Sequence, residues 1–201
     1  MNNSFLAFLV TDLRPPFLLI SCGLPCTLKS TVVNLVAKEK NCPVLRTDAI
    51  RRELLKNENI FDVSVAGDMT KRTRIYDELF QRADAALQKS SCLILDATFI
   101  TNALREKAAA IAAGHNVPFV ILETVSPREV ALARLRDRRP ETSESNAVTE
   151  EAYFDNERRF ESIDINTLAG KFPLAMILYM TVDTSEFAPE SWKIIRREER
   201  P

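Results

Sequence analysis

The sequence contains no apolar run long enough to cross a membrane. Its longest runs, Phe17–Ile20 and Ala175–Met180, fall far short of the roughly 20 residues that a transmembrane helix needs. No basic residue precedes the apolar segment Phe5–Val10, and Thr11–Arg14 follows where a signal peptide would carry small residues. We therefore expect no membrane segment, a helix or strand at Phe5–Val10 that packs on the domain, and a cytoplasmic protein.

Cysteine and histidine are also scarce. The four cysteines are Cys22, Cys26, Cys42 and Cys92, and the single histidine is His115. Four scattered cysteines do not form a disulfide framework, and a chain of 201 residues does not need one. No histidine or second cysteine pair accompanies Cys22 and Cys26, so a zinc site is not expected. We predict free thiols and a histidine on the surface.

Excess charge of either sign is absent. With 27 basic and 28 acidic residues the net charge is -1, so no global field attracts a polyanion, and any nucleic-acid contact would be a local patch. The length predicts one domain over residues 1–201. The stretch 138–148 is rich in charged, Ser, Thr and Asn residues and almost lacks apolar ones, which predicts a mobile lid loop within that domain.

Short apolar runs alternate with amphipathic stretches along the chain. Strands are predicted at Phe17–Cys22, Pro43–Thr47, Cys92–Leu95, Val117–Val125 and Leu174–Val182. Helices are predicted at Lys29–Lys40, Asp48–Lys56, Thr70–Lys89, Asn102–Ala113, from Ser126 onward, Thr149–Phe160 and Ser191–Arg200. This order predicts an α/β fold of three layers, with about five mostly parallel strands and helices on both faces.

The turn after the first strand resembles a phosphate-binding loop. The pattern G-x-x-x-x-G-K-[ST] falls on Gly23, four further residues, Leu28, Lys29 and Ser30, so leucine replaces the second glycine. A helix N-terminus there would present free N–H groups and a positive dipole to a phosphate. The alternative is an ordinary strand–turn–helix unit. If residue 28 or Cys26 needs a positive φ, its side chain costs roughly 1–2 kcal/mol.

Asp48 and Arg51 follow the second predicted strand, where open parallel sheets place their ligands. A carboxylate at this position can accept the proton of a substrate hydroxyl, and an arginine three residues later can hold an anionic group. The alternative for Asp48 is a helix cap, a common role of aspartate.

Two further signals lie later in the chain. Asp96 ends a buried strand, a position that suits a carboxylate that binds magnesium or its water ligands. Aspartate is also common in turns. Arg134 and Arg138 precede the predicted lid and could neutralise charge on a phosphoryl group. Alternatively, they only complement the dipole of their helix.

Together these segments resemble the small P-loop kinases of the nucleoside and nucleotide kinase type, closest to the zeta-toxin-like and polynucleotide 5′-kinase-like group. The matching segments are GLPCTLKST, TDAIRREL, LILDATF and ARLRDRR, in that order, within about Phe17–Asp183. The departures are Cys26 and Leu28, both usually glycine, so the Walker A loop is degenerate.

The resemblance implies an ATP-dependent phosphotransferase with ATP and Mg²⁺ as cofactors. It implies nucleotide binding by Gly23, Cys26, Thr27, Leu28, Lys29, Ser30 and Thr31, and magnesium binding by Ser30 and Asp96. Asp48 would be the general base, Arg51 the substrate contact, and Lys29, Arg134 and Arg138 would stabilise charge. One alternative is an inactive ATP-binding module. A P-loop hydrolase is disfavoured because no water-positioning residue is evident.

The acceptor is not defined by the sequence. Arg51, Arg72 and Arg74 would suit an anionic small molecule or a nucleic-acid end, although surface arginines are usually only solvated.

Mg-ATP is expected to raise the melting temperature, because a ligand that binds only the native state stabilises it by mass action. Lys29→Ala should reduce this shift. Thermal unfolding with millimolar Mg-ATP tests the prediction, and no shift in the wild type, with Lys29→Ala behaving identically, would exclude nucleotide binding by this loop.

Overall fold

The computed structural model describes residues 3–138 and 149–201, and a six-stranded sheet lies at its centre. The strands are β1 (Phe17–Cys22), β2 (Val44–Arg46), β3 (Cys92–Asp96), β4 (Phe119–Val125), β5 (Ile177–Asp183) and β6 (Lys193–Arg200). Their order is β2-β3-β1-β4-β5-β6. Strands β1 to β5 are parallel, and β6 is antiparallel to β5. The predicted α/β fold with a mostly parallel sheet is confirmed, with one strand more than expected.

Helices cover both faces of this sheet. They are α1 (Phe5–Thr11), α2 (Lys29–Lys40), α3 (Thr47–Leu54), α4 (Val63–Ala66), α5 (Met69–Leu87), α6 (Asn102–Gly114), α7 (Arg128–Arg136), α8 (Glu150–Arg159) and α9 (Ile165–Lys171). All six residues of β1 are buried. Leu18 and Ile20 belong to one core cluster, whereas Phe17 and Leu19 belong to the cluster on the opposite face. The chain therefore has the expected three layers.

The C-terminal segment differs from the prediction. A helix was expected at Ser191–Arg200, but a 3₁₀ turn at Pro189–Ser191 leads into strand β6. The segment is rich in Arg and Glu, which favour helices, yet the free edge of β5 offers hydrogen-bond partners along its length. Tertiary pairing outweighs local propensity here, and the charged residues of β6 protect the new sheet edge.

The N-terminal apolar segment forms helix α1. Ser4 caps it by accepting a hydrogen bond from the Ala7 N–H at 3.4 Å. Phe5 and Phe8 are buried, and the Phe5 ring lies 6.2 Å from that of Trp192. The expectation that this segment packs on the domain is confirmed. In the described part of the chain, each helix is too short or too polar to span a bilayer.

The carboxyl ends of β1, β2 and β3 lie at one edge of the sheet and lead to the candidate residues. Strand β1 continues into the loop 23–28, β2 into Asp48 on α3, and β3 ends at Asp96. Because β1 lies between β3 and β4, this edge has the topological switch at which open α/β sheets bind ligands. The predicted lid 138–148 lies outside the described residues, except for Arg138.

Two cysteines form a disulfide, contrary to the prediction of four free thiols. Cys42, just after α2, is bonded to Cys92 at the start of β3, with Cα atoms 5.5 Å apart. Cys22 and Cys26 are free and buried. Fifty residues separate the bonded pair in sequence, and the parallel pairing of β2 with β3, in which Val44 lies opposite Ile94, brings them together.

We expect two of the four cysteines to be alkylated in the denatured protein before reduction, and all four afterwards, as counted by mass spectrometry. Reduction should lower the free energy of unfolding by about 2–4 kcal/mol, because the bond restricts the unfolded chain. A Cys42→Ala/Cys92→Ala variant should show no further effect of reductant. Alkylation of four cysteines without reduction would contradict the disulfide.

Candidate active site

A cavity of about 410 Å³ lies at the carboxyl edge of the sheet. This volume is within the usual range of small-molecule sites. The lining residues are Pro25, Cys26, Leu28, Lys29, Ser30, Thr31, Thr47, Asp48, Arg51, Arg72, Tyr76, Asp96, Ala97, Thr98, Arg134, Asp137, Arg138, Asn156 and Phe187. The structure thus brings most of the sequence-predicted site residues into one cavity.

The loop between β1 and α2 has the left-handed backbone that glycine usually provides. Gly23 has φ of 130°, Cys26 of 62° and Leu28 of 57°. A Cβ on Gly23 would lie 2.4 Å from the Thr124 carbonyl oxygen, so this position requires glycine. The other two positions carry side chains despite the unfavourable conformation.

Gly23 and Thr27 were predicted to bind the nucleotide, but neither lines the cavity. The Thr27 hydroxyl donates to the Leu24 carbonyl at 2.9 Å and shares a hydrogen bond of 2.7 Å with the Thr124 hydroxyl. The Thr184 hydroxyl donates to the Thr27 carbonyl at 2.9 Å. Thr27 therefore fastens the loop to the ends of β4 and β5.

Lys29 lines the cavity at the start of α2. Its Nζ donates to the Leu24 carbonyl oxygen at 2.5 Å. Burial lowers the pKa of the Lys29 ammonium, and nearby Asp96 opposes that shift. A buried ammonium that donates to a backbone carbonyl gains from an anion placed beside it.

The first turn of α2 suits a phosphate. Leu28 is the N-cap residue and makes no side-chain capping bond, so the first amide N–H groups of the helix have no side-chain acceptor. Ser30 and Thr31 follow on this turn, exposed at the cavity. These features fit the triphosphate of a nucleotide.

Asp96 and Ser30 fit a magnesium ion that is bound mainly through a nucleotide. In the described part of the chain, no group of three or more His, Cys, Asp or Glu side chains could hold a metal. Mg²⁺ needs no such group when one carboxylate, a hydroxyl and substrate phosphates are present. Asp96 is 6 % exposed and accepts hydrogen bonds from Ser21 Oγ at 2.9 Å and Arg46 Nε at 3.3 Å.

Asp48 lies in the first turn of α3, and its carboxylate forms an ion pair with Arg51 one turn later. The N-cap position belongs to Arg46, and no side chain caps this helix, so Asp48 does not have the alternative role of a cap. Burial raises the pKa of the Asp48 carboxyl, and Arg51 opposes this shift. The carboxylate faces the same cavity as Lys29 and Ser30.

Arg134 holds the loop from the side of α7. Its Nη1 donates to the Cys26 carbonyl at 3.3 Å and to Ser126 Oγ at 3.0 Å. Its Nη2 donates to the carbonyls of Thr184 and Ser185, each at 2.8 Å. The buried Nε makes no hydrogen bond. Arg134 is therefore held by the loop and by the ends of β4 and β5, and both it and half-buried Arg138 line the cavity.

Nine lining residues were not predicted as catalytic, nucleotide-binding, substrate-binding or metal residues, among them Tyr76, Asn156 and Phe187, and Arg72 had been named only as one of three arginines that would suit an anionic acceptor. Phe187 is 69 % exposed and packs against the Arg134 guanidinium, 4.6 Å from the ring centroid. Its position as an isolated aromatic residue in the polar segment after the last parallel strand was a weak indication that it contributes to a site. Nothing in the sequence places Asn156, on α8, beside residues of α3 and α5.

The fold and the cavity define the class of this protein. A parallel sheet with a phosphate-type loop after its central strand, and with a lysine and serine opening the next helix, is the arrangement of the P-loop kinase-like group. A family model described as an AAA domain matches residues 18–163, and the chain belongs to that family. The predicted resemblance to P-loop kinases is confirmed.

Solved structures share the fold at low identity. An unliganded sugar kinase from Janibacter sp. HTCC2649 has a TM-score of 0.60 and 15% identity, over 88% of this chain and 89% of that one. A gluconokinase from Sinorhizobium meliloti 1021 has a TM-score of 0.58 and 14% identity, over 87% and 86%. The AvrRxo1-ORF1:-ORF2 complex with ATP has a TM-score of 0.61 and 16% identity, over 95% of this chain and 60% of that one. No curated protein sequence matches the chain.

The left-handed conformation at residue 28 predicts an unusual order of stabilities. Leu28→Gly and Leu28→Ala both lose the packing of the leucine, but only glycine relieves the backbone penalty. The Leu28→Gly variant should therefore be more stable than the Leu28→Ala variant by about 1 kcal/mol in urea unfolding. At Ala110, exposed within α6, the control Ala110→Gly should be destabilising by about 0.5–1 kcal/mol. A more stable alanine at residue 28 would show that its φ is not positive.

Proposed function

We propose that the protein is a kinase that moves the γ-phosphoryl group of Mg-ATP to a hydroxyl of an anionic acceptor. The observation that carries the proposal is the position of the Asp48–Arg51 pair in the same cavity as the loop, Lys29 and Ser30. Water attack would need only the loop and a positioned water molecule. A carboxylate paired with an arginine instead suits a second substrate that has both a hydroxyl and a negative charge.

Each part of the cavity has a distinct task in this reaction. Lys29 and the amides at the start of α2 bind the phosphates, and Arg138 adds positive charge near the transferring group. Ser30 and Asp96 would hold magnesium, and the ion would neutralise charge on the phosphate oxygens. Arg134 positions the loop through the Cys26 carbonyl. Phe187, exposed at the rim beside Arg134, offers a surface on which the adenine ring can stack.

Asp48 takes the proton from the acceptor hydroxyl. Its raised pKa makes it a stronger base than an ordinary aspartate, while the ion pair with Arg51 favours the ionised form that accepts the proton. Arg51 thereby both orients the carboxylate and carries a positive charge toward the acceptor.

A second candidate is a module that binds ATP without transferring phosphate. One observation favours it: the Lys29 ammonium already donates to the Leu24 carbonyl of its own loop, and a phosphate must displace this contact. Full affinity for Mg-ATP without transfer to any member of a broad acceptor pool, followed by mass spectrometry, would favour this candidate over the kinase.

Asp48→Asn should lower phosphoryl transfer by about 10²-fold or more, the usual contribution of a general base. Asparagine keeps the size of the side chain and an oxygen for Arg51, so the melting temperature and ATP affinity should change little. The measurement is the initial rate with any acceptor found in the pool. Asp77→Asn is the matched control, because Asp77 is exposed on α5 and pairs with Lys107.

The pH profile of the reaction distinguishes a catalytic base at Asp48 from a residue with only a structural role. Asp48 acts as a base only when ionised, so kcat/KM should fall as the pH drops through its pKa. Because burial raises that pKa, this acid limb should lie above the ordinary aspartate value of 3.8. The limb should vanish in Asp48→Asn. Full activity of Asp48→Asn, or an unchanged acid limb, would contradict the assignment.

A further inference from the structure

Strand β2 is the shortest strand of the described sheet. Its three residues, Val44–Arg46, are all half-buried, whereas all six residues of β1 are buried. Within the described residues it lies at one edge of the sheet and pairs only with β3. Short edge strands open locally at a lower free-energy cost than central strands, because fewer contacts hold them. The position of β2 therefore depends on additional links to its neighbour.

Two side-chain links hold β2 against β3, one at each end. The disulfide joins Cys42, which lies just before β2, to Cys92, the first residue of β3. At the other end, Arg46 lies opposite Asp96, and its Nε donates to that carboxylate at 3.3 Å. Arg46 is 28% exposed, so water screens this ion pair. The disulfide is therefore the stronger of the two links.

The disulfide also closes a segment of the chain that forms one side of the active-site cavity. Strand β2 and helices α3, α4 and α5 lie between the two bonded cysteines. Five lining residues belong to this closed segment: Thr47, Asp48, Arg51, Arg72 and Tyr76. The loop 23–28 precedes the segment, and α7 and α8 follow it. The bond therefore acts on the Asp48 side of the cavity rather than on the loop.

A movement of β2 would reach Asp48 directly. Arg46 ends β2 and is also the N-cap residue of α3, so no connecting loop separates the strand from the helix. Asp48 is the second residue of α3, and no side chain caps this helix. Within the described residues, α3 packs chiefly on α5 and β2, which belong to the same closed segment. The position of the Asp48 carboxylate is therefore tied to that of β2.

The bond can be reached from solvent. It lies at the amino edge of the sheet, at the opposite end of β2 and β3 from the cavity. Asn41, Pro43 and Ser91, which adjoin the two cysteines in sequence, are exposed, and Cys42 itself is 7% exposed. A reductant therefore does not need to enter the cavity.

Stability alone does not explain this bond. A domain of 201 residues with hydrophobic clusters on both faces of its sheet has enough core to fold without a disulfide. The bond instead couples the redox state of two cysteines to the strand that leads to Asp48.

We propose that the Cys42–Cys92 disulfide is a redox switch of the active site. The oxidised form fixes β2 against β3 and holds Asp48 in place for phosphoryl transfer. Reduction releases β2, so that transfer slows while the loop 23–28 keeps its affinity for Mg-ATP. The proposal rests on the proposed kinase function and adds the regulation of that site.

The reductant in this switch is a dithiol. One of its thiolates attacks the Cys42 sulfur, the bond between the two cysteine sulfurs breaks, and Cys92 leaves as a thiolate with the electron pair. The second thiolate attacks the mixed disulfide and releases Cys42 as a thiolate. Each cysteine then takes up one proton. The dithiol supplies two electrons and two protons and ends as a disulfide, and a disulfide oxidant reverses the reaction.

Hydrogen exchange followed by mass spectrometry tests the switch without relying on catalysis. The full chain is compared in its oxidised form and after reduction with dithiothreitol. We expect the amides of residues 44–54 to exchange about 10-fold faster or more in the reduced protein, because β2 and the start of α3 open locally. The amides of β1 and β4 should exchange as in the oxidised protein.

Two variants are the controls. Cys42→Ala/Cys92→Ala should match the reduced wild type and should not respond to dithiothreitol. It also reports any effect of the reagents on Cys22 and Cys26, which are free thiols. Leu178→Ala leaves a cavity at buried Leu178 on β5, on the other side of the sheet from β2, and should lower the stability without a selective effect on residues 44–54. Melting temperatures verify that each protein is folded.

The same samples are assayed for phosphoryl transfer, with any acceptor found in the pool, and for Mg-ATP affinity by calorimetry. Reduction should lower kcat by about 10- to 100-fold, since a misplacement of roughly 1 Å has effects of that size. The affinity for Mg-ATP should stay unchanged. Reoxidation with oxidised glutathione should restore kcat in the wild type and should have no effect on Cys42→Ala/Cys92→Ala.

Selective loosening of residues 44–54 with a reversible loss of transfer would support the switch. Unchanged exchange in residues 44–54 would overturn it, and so would faster exchange in every strand, which indicates a bond that only stabilises the fold. Full transfer by the reduced protein would also overturn it. Selective, redox-dependent exchange with no transfer in either state would support the link between the disulfide and Asp48 and contradict the kinase function.

Discussion

The left-handed backbone at Cys26 and Leu28 is the constraint on which the candidate site depends. It turns the chain from the end of β1 into α2 and directs the first amides of the helix toward the cavity. Side chains make this conformation cost roughly 1–2 kcal/mol at each residue, so surrounding contacts must compensate for it. Leu28 packs against one core cluster, and Cys26 is buried with Ala131, Leu135 and Tyr153 of α7 and α8.

Polar contacts complete this support and connect the loop to the rest of the site. Arg134 donates to the Cys26 carbonyl, Thr184 to the Thr27 carbonyl, and Lys29 to the Leu24 carbonyl. These contacts stabilise the loop in the conformation that the structure shows. In the proposed kinase, a phosphate would have to displace the contact between Lys29 and the Leu24 carbonyl.

Local patterns were sufficient to predict the parallel strands, most helices and the residues around the loop, because each follows from apolar periodicity or a short motif. They failed where contacts with residues distant in the sequence determine the structure. The edge of β5 converts Lys193–Arg200 from helix to strand, and the fold brings Cys42 to Cys92 across 50 residues. Asp48 could be predicted from its position after a strand, but Tyr76, Asn156 and Phe187 reach the active-site cavity from elements whose packing the sequence does not specify.

The most direct measurement of the central claim is a crystal structure with magnesium and a non-hydrolysable ATP analogue. The account predicts that the phosphates lie over the first turn of α2, that Lys29 Nζ moves from the Leu24 carbonyl to a phosphate oxygen, and that Cys26 and Leu28 keep a positive φ. An analogue bound away from the loop, or a loop in which Leu28 adopts a negative φ to accept the phosphates, would contradict it.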